Sequence, residues 1–284
     1  MKIGIVSDKY KDPEFIVANR TAEVLRNLGV EVVNPESRYE HKITKQESAD
    51  AWDDVDIAIS VGGDGTFLHT CKEIYGRDIP LIGVNLGQLG FMTEIHLDDL
   101  EKSLEKIVRG EYFTVERMML EVKLFNRDGE LLHQDYALND AVLYRGEISR
   151  IIPCVLKING NYIQTFKSDG IIVAGPTGST GYALSCGGPI VDPKLELMLV
   201  TPISPHSLQN RTYVVSPEDT IEISIAKNYP FAPYLSMDGR ENIRITRDEN
   251  IQIRRADKCL KILRLEEEEF FKELPKKLYA RGVE

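Results

Sequence analysis

The sequence predicts an α/β domain built on a doubly wound parallel sheet, followed by an all-β domain. Three observations predict it. Over the first 110 residues, short apolar β-branched runs alternate with segments whose apolar residues recur at helical spacing, the pattern of a parallel sheet covered on both faces. From about residue 112 the pattern changes to short strand-like runs separated by turn residues. No Pro/Gly-rich linker intervenes, so the halves are expected to pack closely and share a cleft, where small-molecule sites prefer to lie.

KIGIV (2–6) opens as a strand, and EFIVANRTAEVLRNLG follows as a helix that stops at Gly29. VEVVN is a second strand, DIAISV (56–61) a third, FLHTCKEIYG a helix ending at Gly76, and PLIGVN (80–85) a fourth strand. LDDLEKSLEKIVRG predicts a helix with Leu97, Leu100, Leu104, Ile107 and Val108 on one face, a core stripe rather than a partner surface. In the second half, MLEVKLFNRDGELLHQDYALND predicts a hairpin around Asp128-Gly129, and CVLKINGNYIQTF another around Asn159-Gly160. TIEISIA, YLSMDG, NIRITRD and NIQIRRA continue as short strands. The tail LEEEEFFKELPKKL puts glutamates first and lysines last, which suits a helix macrodipole. The expected boundaries are 1–110 for the α/β domain, 111–265 for the β-rich domain and 266–284 for the helical tail.

Composition narrows the function classes. A net charge of -10 argues against a general nucleic-acid binder, which would show a basic footprint. There is no apolar run of about 18 residues, so no membrane span is expected. The N-terminus turns polar after five residues and lacks a signal-peptide apolar region, so a cytoplasmic location is expected. Cys71, Cys154, Cys186 and Cys259 lie far apart without a CxxC pair, and the five histidines are scattered without HExxH. Neither a disulfide framework nor a zinc site is expected.

Chemistry concentrates in glycine-rich segments. SVGGDGTFLH (60–69) follows an apolar strand and opens a helix, the position where open α/β sheets bind ligands. Glycines let phosphate oxygens approach the backbone, and a helix N-terminus offers N–H groups and a partial positive charge. Asp64 would repel a phosphate, unless it helps hold Mg²⁺ or accepts a proton from an attacking hydroxyl. A plain strand–helix turn with Asp64 as N-cap is the alternative. The sequence has no GxxxxGK[ST] and no GxGxxG after a strand, so neither a Walker-type site nor an ordinary Rossmann grip is indicated.

AGPTGSTGYALSCGGP (174–189) is denser still. Its glycines, Thr177, Ser179, Thr180 and Ser185 offer many donors and little bulk, and Tyr182 offers a flat face for a base or ring. NLGQLGF (85–91) occupies the place equivalent to GGDG one strand over, or is a glycine turn capped by Phe91 in the core. In ALND (137–140) adjacent Asn139 and Asp140 would face opposite ways on a regular strand, so joint use implies a strand end or bulge. FKSDG places Lys167 and Asp169 on one face of an extended segment.

Together these residues resemble the NAD kinases, which phosphorylate the 2′-hydroxyl of the adenosine ribose of NAD to make NADP. The resemblance runs in order through GGDGTFL, NLGQLGF, ERMML (116–120), LND, SDGIIVAGPTGSTGYALSCGGP, PISPHSLQNR and SMDGR. GGDG alone is shared with lipid kinases, whereas GPTGSTGYALSCGGP with NLGQLGF is specific. The resemblance implies a two-domain fold with the active site in the cleft between the domains. It implies Mg²⁺ or another divalent cation with ATP as cofactor and NAD as substrate. It implies Asp64 as proton acceptor, with Gly65 beside it, and His69 as an NAD contact. Asn139 and Asp140 match an Asn–acidic pair holding the dinucleotide; many relatives carry Glu at the second position. Arg150, Lys167 and Asp169 match NAD-site positions, some contributed across a subunit interface. Thr177, Thr180, Gly181, Tyr182, Ala183, Leu184 and Ser185 match the loop around the dinucleotide. His206 and Asp238 fall in family motifs without an assigned role. A homodimer or homotetramer with sites near subunit interfaces is also implied.

Two other functions compete. A lipid or sphingoid-base kinase would share GGDG but need an apolar tunnel, against which the polar Asn139–Asp140 pair and the Gly/Ser/Thr loop speak. A non-catalytic NAD(P) sensor would bind NAD without consuming ATP, against which the intact Asp64 speaks.

Overall fold

The computed structural model describes residues 1–33, 52–87, 90–146, 150–207, 211–240, 242–267 and 270–282. The chain forms two compact units, Met1–Glu116 with Leu260–Glu284, and Arg117–Cys259.

The first unit is built on β1 (Lys2–Ser7), β2 (Glu31–Val33), β3 (Ile57–Gly62), β4 (Leu81–Asn85), β5 (Ile95–His96), β6 (Phe113–Arg117) and the last strand of the chain, β19 (Leu260–Arg264). Their order is β2-β1-β3-β4-β19-β6, with β5 also against β4. Pairs β1–β2, β1–β3, β3–β4, β4–β5 and β4–β19 are all parallel. Parallel neighbours need crossovers, and α1 (Ile16–Asn27) and α2 (Asp64–Ile74) supply two of them, while α3 (Leu100–Val108) follows β5.

Side-chain alternation divides the helices between two faces. Ile3, Ile5, Ile59 and Val84 cluster with Leu25 of α1 and Leu104 of α3. On the opposite face Gly4 meets Trp52, and Gly83 meets Phe67 of α2. Both faces are covered, which is why these strands read as continuous apolar runs. Helix α1 ends where expected: Gly29 takes a left-handed φ of 80° and Val30 N–H returns to Leu25 C=O at 3.0 Å.

Two expectations are corrected in this unit. Leu97 is 38% exposed and sits in a 3-10 turn before α3, outside the helical register that buries Leu100, Leu104 and Ile107. The segment Leu260–Arg264 was expected within the β-rich domain to residue 265. It instead pairs parallel with β4, Ile262 opposite Leu81, and buries Leu260, Ile262 and Leu263. The tail then forms α5 (Phe270–Gly282), with Pro275 inside it.

The second unit holds two six-stranded antiparallel sheets. One contains β7 (Leu120–Phe125), β8 (Leu131–Ala137), β10 (Ile152–Ile158), β11 (Asn161–Ser168), β15 (Ile221–Ile225) and β18 (Asn250–Arg255). The other contains β9 (Asp140–Tyr144), β12 (Gly170–Ala174), β13 (Met198–Ile203), β14 (Tyr213–Val215), β16 (Tyr234–Met237) and β17 (Asn242–Arg244). Inward residues of both, among them Val122, Leu156, Phe166, Val173, Ile223 and Ile253, form one core. The Asn159-Gly160 hairpin has left-handed φ values of 51° and 77°, the geometry that favours Asn-Gly in a two-residue turn.

The sheets differ in their outer faces. β15 alternates buried and half-buried residues, the signature of a face open to water. β12 and β13 are buried throughout, because the segment after β12 lies over their second face. That segment contains a 3-10 turn (Thr177–Thr180) and the short helix α4 (Tyr182–Ser185). Ala183 and Val191 there join Val142, Ile172, Leu199 and Ile203 in a second apolar cluster.

Candidate active site

Two groups of residues gather the predicted chemistry, one in each unit. In the first unit, β3 ends at Gly62, Gly63 is the N-cap of α2 and Asp64 is the first helical residue. Gly63 makes no side-chain cap, so the N-cap reading of Asp64 does not hold. The Asp64 carboxylate instead reaches the segment after β4, where Oδ2 accepts Phe91 N–H and Oδ1 accepts Met92 N–H, both at 3.2 Å. A Cβ on Gly90 would collide with that carboxylate. The last glycine of NLGQLGF therefore makes room for the aspartate of GGDG. Phe91 is half-buried, with the Lys277 ammonium 5.7 Å from its ring centroid, rather than a core cap. Gln88 and Leu89 of the motif lie outside the described residues, as do Leu208, Gln209 and Asn210 of PISPHSLQNR.

Gly65 is exposed, with nothing within 4 Å of the place its Cβ would take. A ligand can approach that backbone directly. His69 is one turn further along α2, its Nε2 3.3 Å from Glu73 Oε1.

In the second unit, Leu138 and Asn139 connect β8 of one sheet to β9 of the other. This change of sheet is the strand end that the ALND segment requires. Its backbone is held by Asp238, whose side chain is 1% exposed. Asp238 Oδ2 accepts Leu138 N–H at 2.9 Å, and Oδ1 accepts Asn139 N–H at 2.8 Å and Asp140 N–H at 3.1 Å. Arg240 Nη2 lies 3.8 Å from the same carboxylate and donates to Tyr136 C=O.

The glycine-rich segment packs onto this turn. Asp140 pairs with Ala174 at the end of β12, and Gly175 N–H donates to Asn139 C=O at 2.9 Å. A Cβ on Gly178 would strike the Asn139 backbone, and one on Gly181 would sit 3.7 Å from Asp140 Oδ2. Asn139 Oδ1 and Thr177 Oγ1 are both buried without a hydrogen-bond partner among the described residues. Buried polar atoms are rarely left so, and both are fitted to a polar ligand.

Electrostatics mark the same place. Burial, and then the nearby Asp238 carboxylate, push the Asp140 carboxyl up to about 7. Burial also raises Asp238, opposed by Arg240 and by the three backbone N–H groups. The Tyr182 phenol is raised by burial and further by Cys186, Asp169 and Asp140, so these groups share one neighbourhood. Burial and Asp140 raise the Cys186 thiol.

The remaining predicted residues vary. Asp169 follows β11 and pairs with Arg145 at 3.3 Å, while Lys167 is exposed. The Arg150 guanidinium is 5.4 Å from the Phe231 ring centroid. Thr180 Oγ1 donates to Thr177 C=O at 3.4 Å. Tyr182 is 45% exposed, and Leu184 and Ser185 are half-buried and exposed, whereas the Ala183 side chain faces the apolar cluster and could offer a ligand only its backbone. Sequence reasoning left Asp238 without a role. The backbone it holds lies 98 to 100 residues away, and the signal available was an acidic residue in a Met-Asp-Gly turn.

Comparison with known proteins addresses the whole chain. Residues 3–112 match the family model of the ATP-NAD kinase N-terminal domain, and residues 138–265 that of the ATP-NAD kinase C-terminal domain. The NAD kinase of Ruminiclostridium cellulolyticum is 36% identical over 285 residues, covering 100% of this chain and 99% of that protein. The chain belongs to the NAD kinase family. The NAD kinase of Syntrophotalea carbinolica is 39% identical over 280 residues, 98% of each chain. An NAD kinase from Archaeoglobus fulgidus, solved in complex with ATP, superposes with a TM-score of 0.76 at 27% identity over 100% of both chains. Yeast NADH kinase complexed with NADH shares the fold, with a TM-score of 0.85 at 23% identity over 100% of this chain and 89% of that one. As an NAD kinase the protein is a phosphotransferase, and neither a lipid kinase nor a silent sensor is favoured.

Proposed function

We propose that this chain transfers the γ-phosphate of ATP to the 2′-hydroxyl of the adenosine ribose of NAD, giving NADP, and that Asp64 is the catalytic base. The observation that carries the assignment is the Asp64 carboxylate, fixed by two backbone N–H groups at the C-terminal end of β3 beside the exposed backbone of Gly65. A ribose hydroxyl is a weak nucleophile. A positioned carboxylate orients it and takes its proton as the oxygen attacks the γ-phosphorus and ADP leaves. Most of the remaining acceleration comes from holding the reactants and neutralising phosphate charge.

Asn139 and Asp140 hold the dinucleotide in this reading, supported by the unpartnered Asn139 Oδ1 and by the rigid turn beneath it. Thr177, Thr180, Gly181, Tyr182, Ala183, Leu184 and Ser185 surround it, with Tyr182 offering a ring face and Ala183 its backbone. His69, Arg150, Lys167 and Asp169 complete the NAD contacts, some of them across a subunit interface of a homodimer or homotetramer. Mg²⁺ would arrive with the nucleotide, an ion that keeps several waters and takes most of its other ligands from substrate phosphates, so Asp64 stays free to accept the proton. Among the described residues no group of three His, Cys, Asp or Glu side chains forms a dedicated metal cage. When bound, the ion neutralises charge on the phosphates. No described helix is long and apolar enough to cross a membrane, and we place the enzyme in the cytoplasm.

The test incubates purified protein with NAD, ATP and Mg²⁺ and detects NADP with an NADP-specific dehydrogenase, running Asp64→Asn alongside. NADP from the wild type and almost none from the variant is the expected result. Folded wild type that binds NAD but makes no NADP would return the sensor reading.

A further inference from the structure

A kinase without a Walker lysine still has to neutralise the phosphoryl group it transfers. No lysine lies within the GGDGTFL segment. One comes from elsewhere in the first unit. The Lys11 ammonium stands 2.5 Å from the place a Cβ would take on Gly63, directly over the N-cap of α2. Any larger residue at position 63 would displace it. Lys11 is exposed, and among the described residues no acid forms an ion pair with it.

That position is electrostatically odd. A helix N-terminus carries partial positive charge, so a cation beside it is unfavourable. The loop holds it there nonetheless. Lys11 and Asp12 N–H groups both return to Asp8 C=O, at 2.9 and 2.7 Å. Asp12 is 2% exposed and accepts Ser7 Oγ at 2.8 Å and the N–H groups of Val17 and Ala18 at 2.9 Å each. The turn carrying Lys11 is thus tied to β1 and to the first turn of α1. A second observation points to a ligand: Thr66, 4% exposed in the first turn of α2, has a hydroxyl packed against Gly62 with no hydrogen-bond partner among the described residues.

We infer that Lys11 is a phosphate-binding residue of the donor site, its ammonium closing over a terminal phosphate of ATP that lies on the Gly62–Gly65 backbone. The inference rests on the kinase reading above. Lys11 plays the part that the P-loop lysine plays in Walker sites, delivered from the loop after β1 rather than from the phosphate loop itself. NAD also carries a pyrophosphate, and the test separates the two sources.

Lys11→Ala and Lys11→Arg are compared with wild type in steady-state kinetics against ATP and against NAD separately, and in calorimetric binding of inorganic tripolyphosphate. Charge-assisted contacts to a transferring phosphate predict a loss of roughly 10- to 100-fold in kcat/KM for ATP in Lys11→Ala. The Kd for NAD stays unchanged, tripolyphosphate binding weakens, and Lys11→Arg recovers most of the loss. Unchanged ATP kinetics in Lys11→Ala would overturn the inference, as would a defect confined to NAD. Wild type that makes no NADP, yet binds tripolyphosphate through Lys11, would sink the kinase reading while upholding Lys11 as a phosphate ligand.

Discussion

Asp64 and Asp238 do the same thing to the backbone and differ in what remains. Each gathers N–H groups from a distant loop, Asp64 those of Phe91 and Met92, Asp238 those of Leu138, Asn139 and Asp140. Asp238 is sealed, its side chain 1% exposed, and its backbone has a left-handed φ of 50°. Asp64 is half-buried and opens a helix beside a bare glycine. The hydrogen bonds of Asp238 hold a turn in place, whereas those of Asp64 aim a carboxylate that can still be reached. The glycines follow the same division. Gly178 is small because Asn139 backbone lies against it, whereas nothing lies within 4 Å of the place a Cβ would take on Gly65.

The largest effect expected from this contrast is catalytic. Asp64→Asn keeps the shape and removes the base, so kcat should fall by about 10²–10⁴ with NAD affinity near wild type. Losing one of the two acceptors for Phe91 and Met92 N–H costs only about 1 kcal/mol of stability at this half-buried site. Turnover near wild type in a folded Asp64→Asn would erase the difference between the two aspartates. Asp238→Asn should do the reverse. An amide leaves three buried N–H groups facing at best one neutral acceptor, a loss of about 2–4 kcal/mol in denaturant unfolding. NAD affinity should fall with it, because the turn carrying Asn139 loosens. An Asp238→Asn variant with wild-type unfolding would show that the three bonds carry little.

Much of this was legible in the sequence, unevenly. Period and turn chemistry marked the strands, the helix stops at Gly29 and Gly76, and the Asn159-Gly160 hairpin, because these are set by neighbours within a few residues. The return of Leu260–Arg264 to the first sheet was not legible. Five residues reading LKILR look the same in a parallel and an antiparallel sheet, and only long-range packing chooses. The same limit hid Asp238, whose backbone partners are about 100 residues away, and Lys11, whose meaning comes from Gly63 at the N-cap of α2. The GGDG, LND and glycine-loop segments stood out because each gathers unusual residue types locally. What each residue touches was not there to read.

Asp140 gives a pH-dependent comparison. Burial, and then the nearby Asp238 carboxylate, push its carboxyl from the ordinary 3.8 up to about 7 in the folded protein. Between those values the native state keeps a proton that the unfolded chain has lost, so stability falls as pH rises from about 4 to about 7. Asp140→Asn has no proton to lose. Relative to wild type it should gain roughly 1–3 kcal/mol more at pH 8 than at pH 5 in urea unfolding, while weakening NAD binding. An equal difference at both pH values would mean that Asp140 titrates as an ordinary surface acid.

The smallest effect on stability is the most telling about Gly65. This residue lies in the first turn of α2 without a positive φ, and an added Cβ would meet nothing within 4 Å. By helix propensity alone, Gly65→Ala should stabilise the protein by about 0.5–1 kcal/mol. Gly178→Ala, whose Cβ would strike the Asn139 backbone, should instead destabilise by about 1–3 kcal/mol. If phosphate lies against the Gly65 backbone, the stabilised variant should nevertheless show a raised KM for ATP with an unchanged Kd for NAD. Gains in both stability and ATP affinity would mean that nothing binds there, and that the glycine answers to a need elsewhere in the loop. A gain in stability with a loss in ATP use would show that this backbone is kept bare for a ligand, at a position where the fold itself would be better served by alanine.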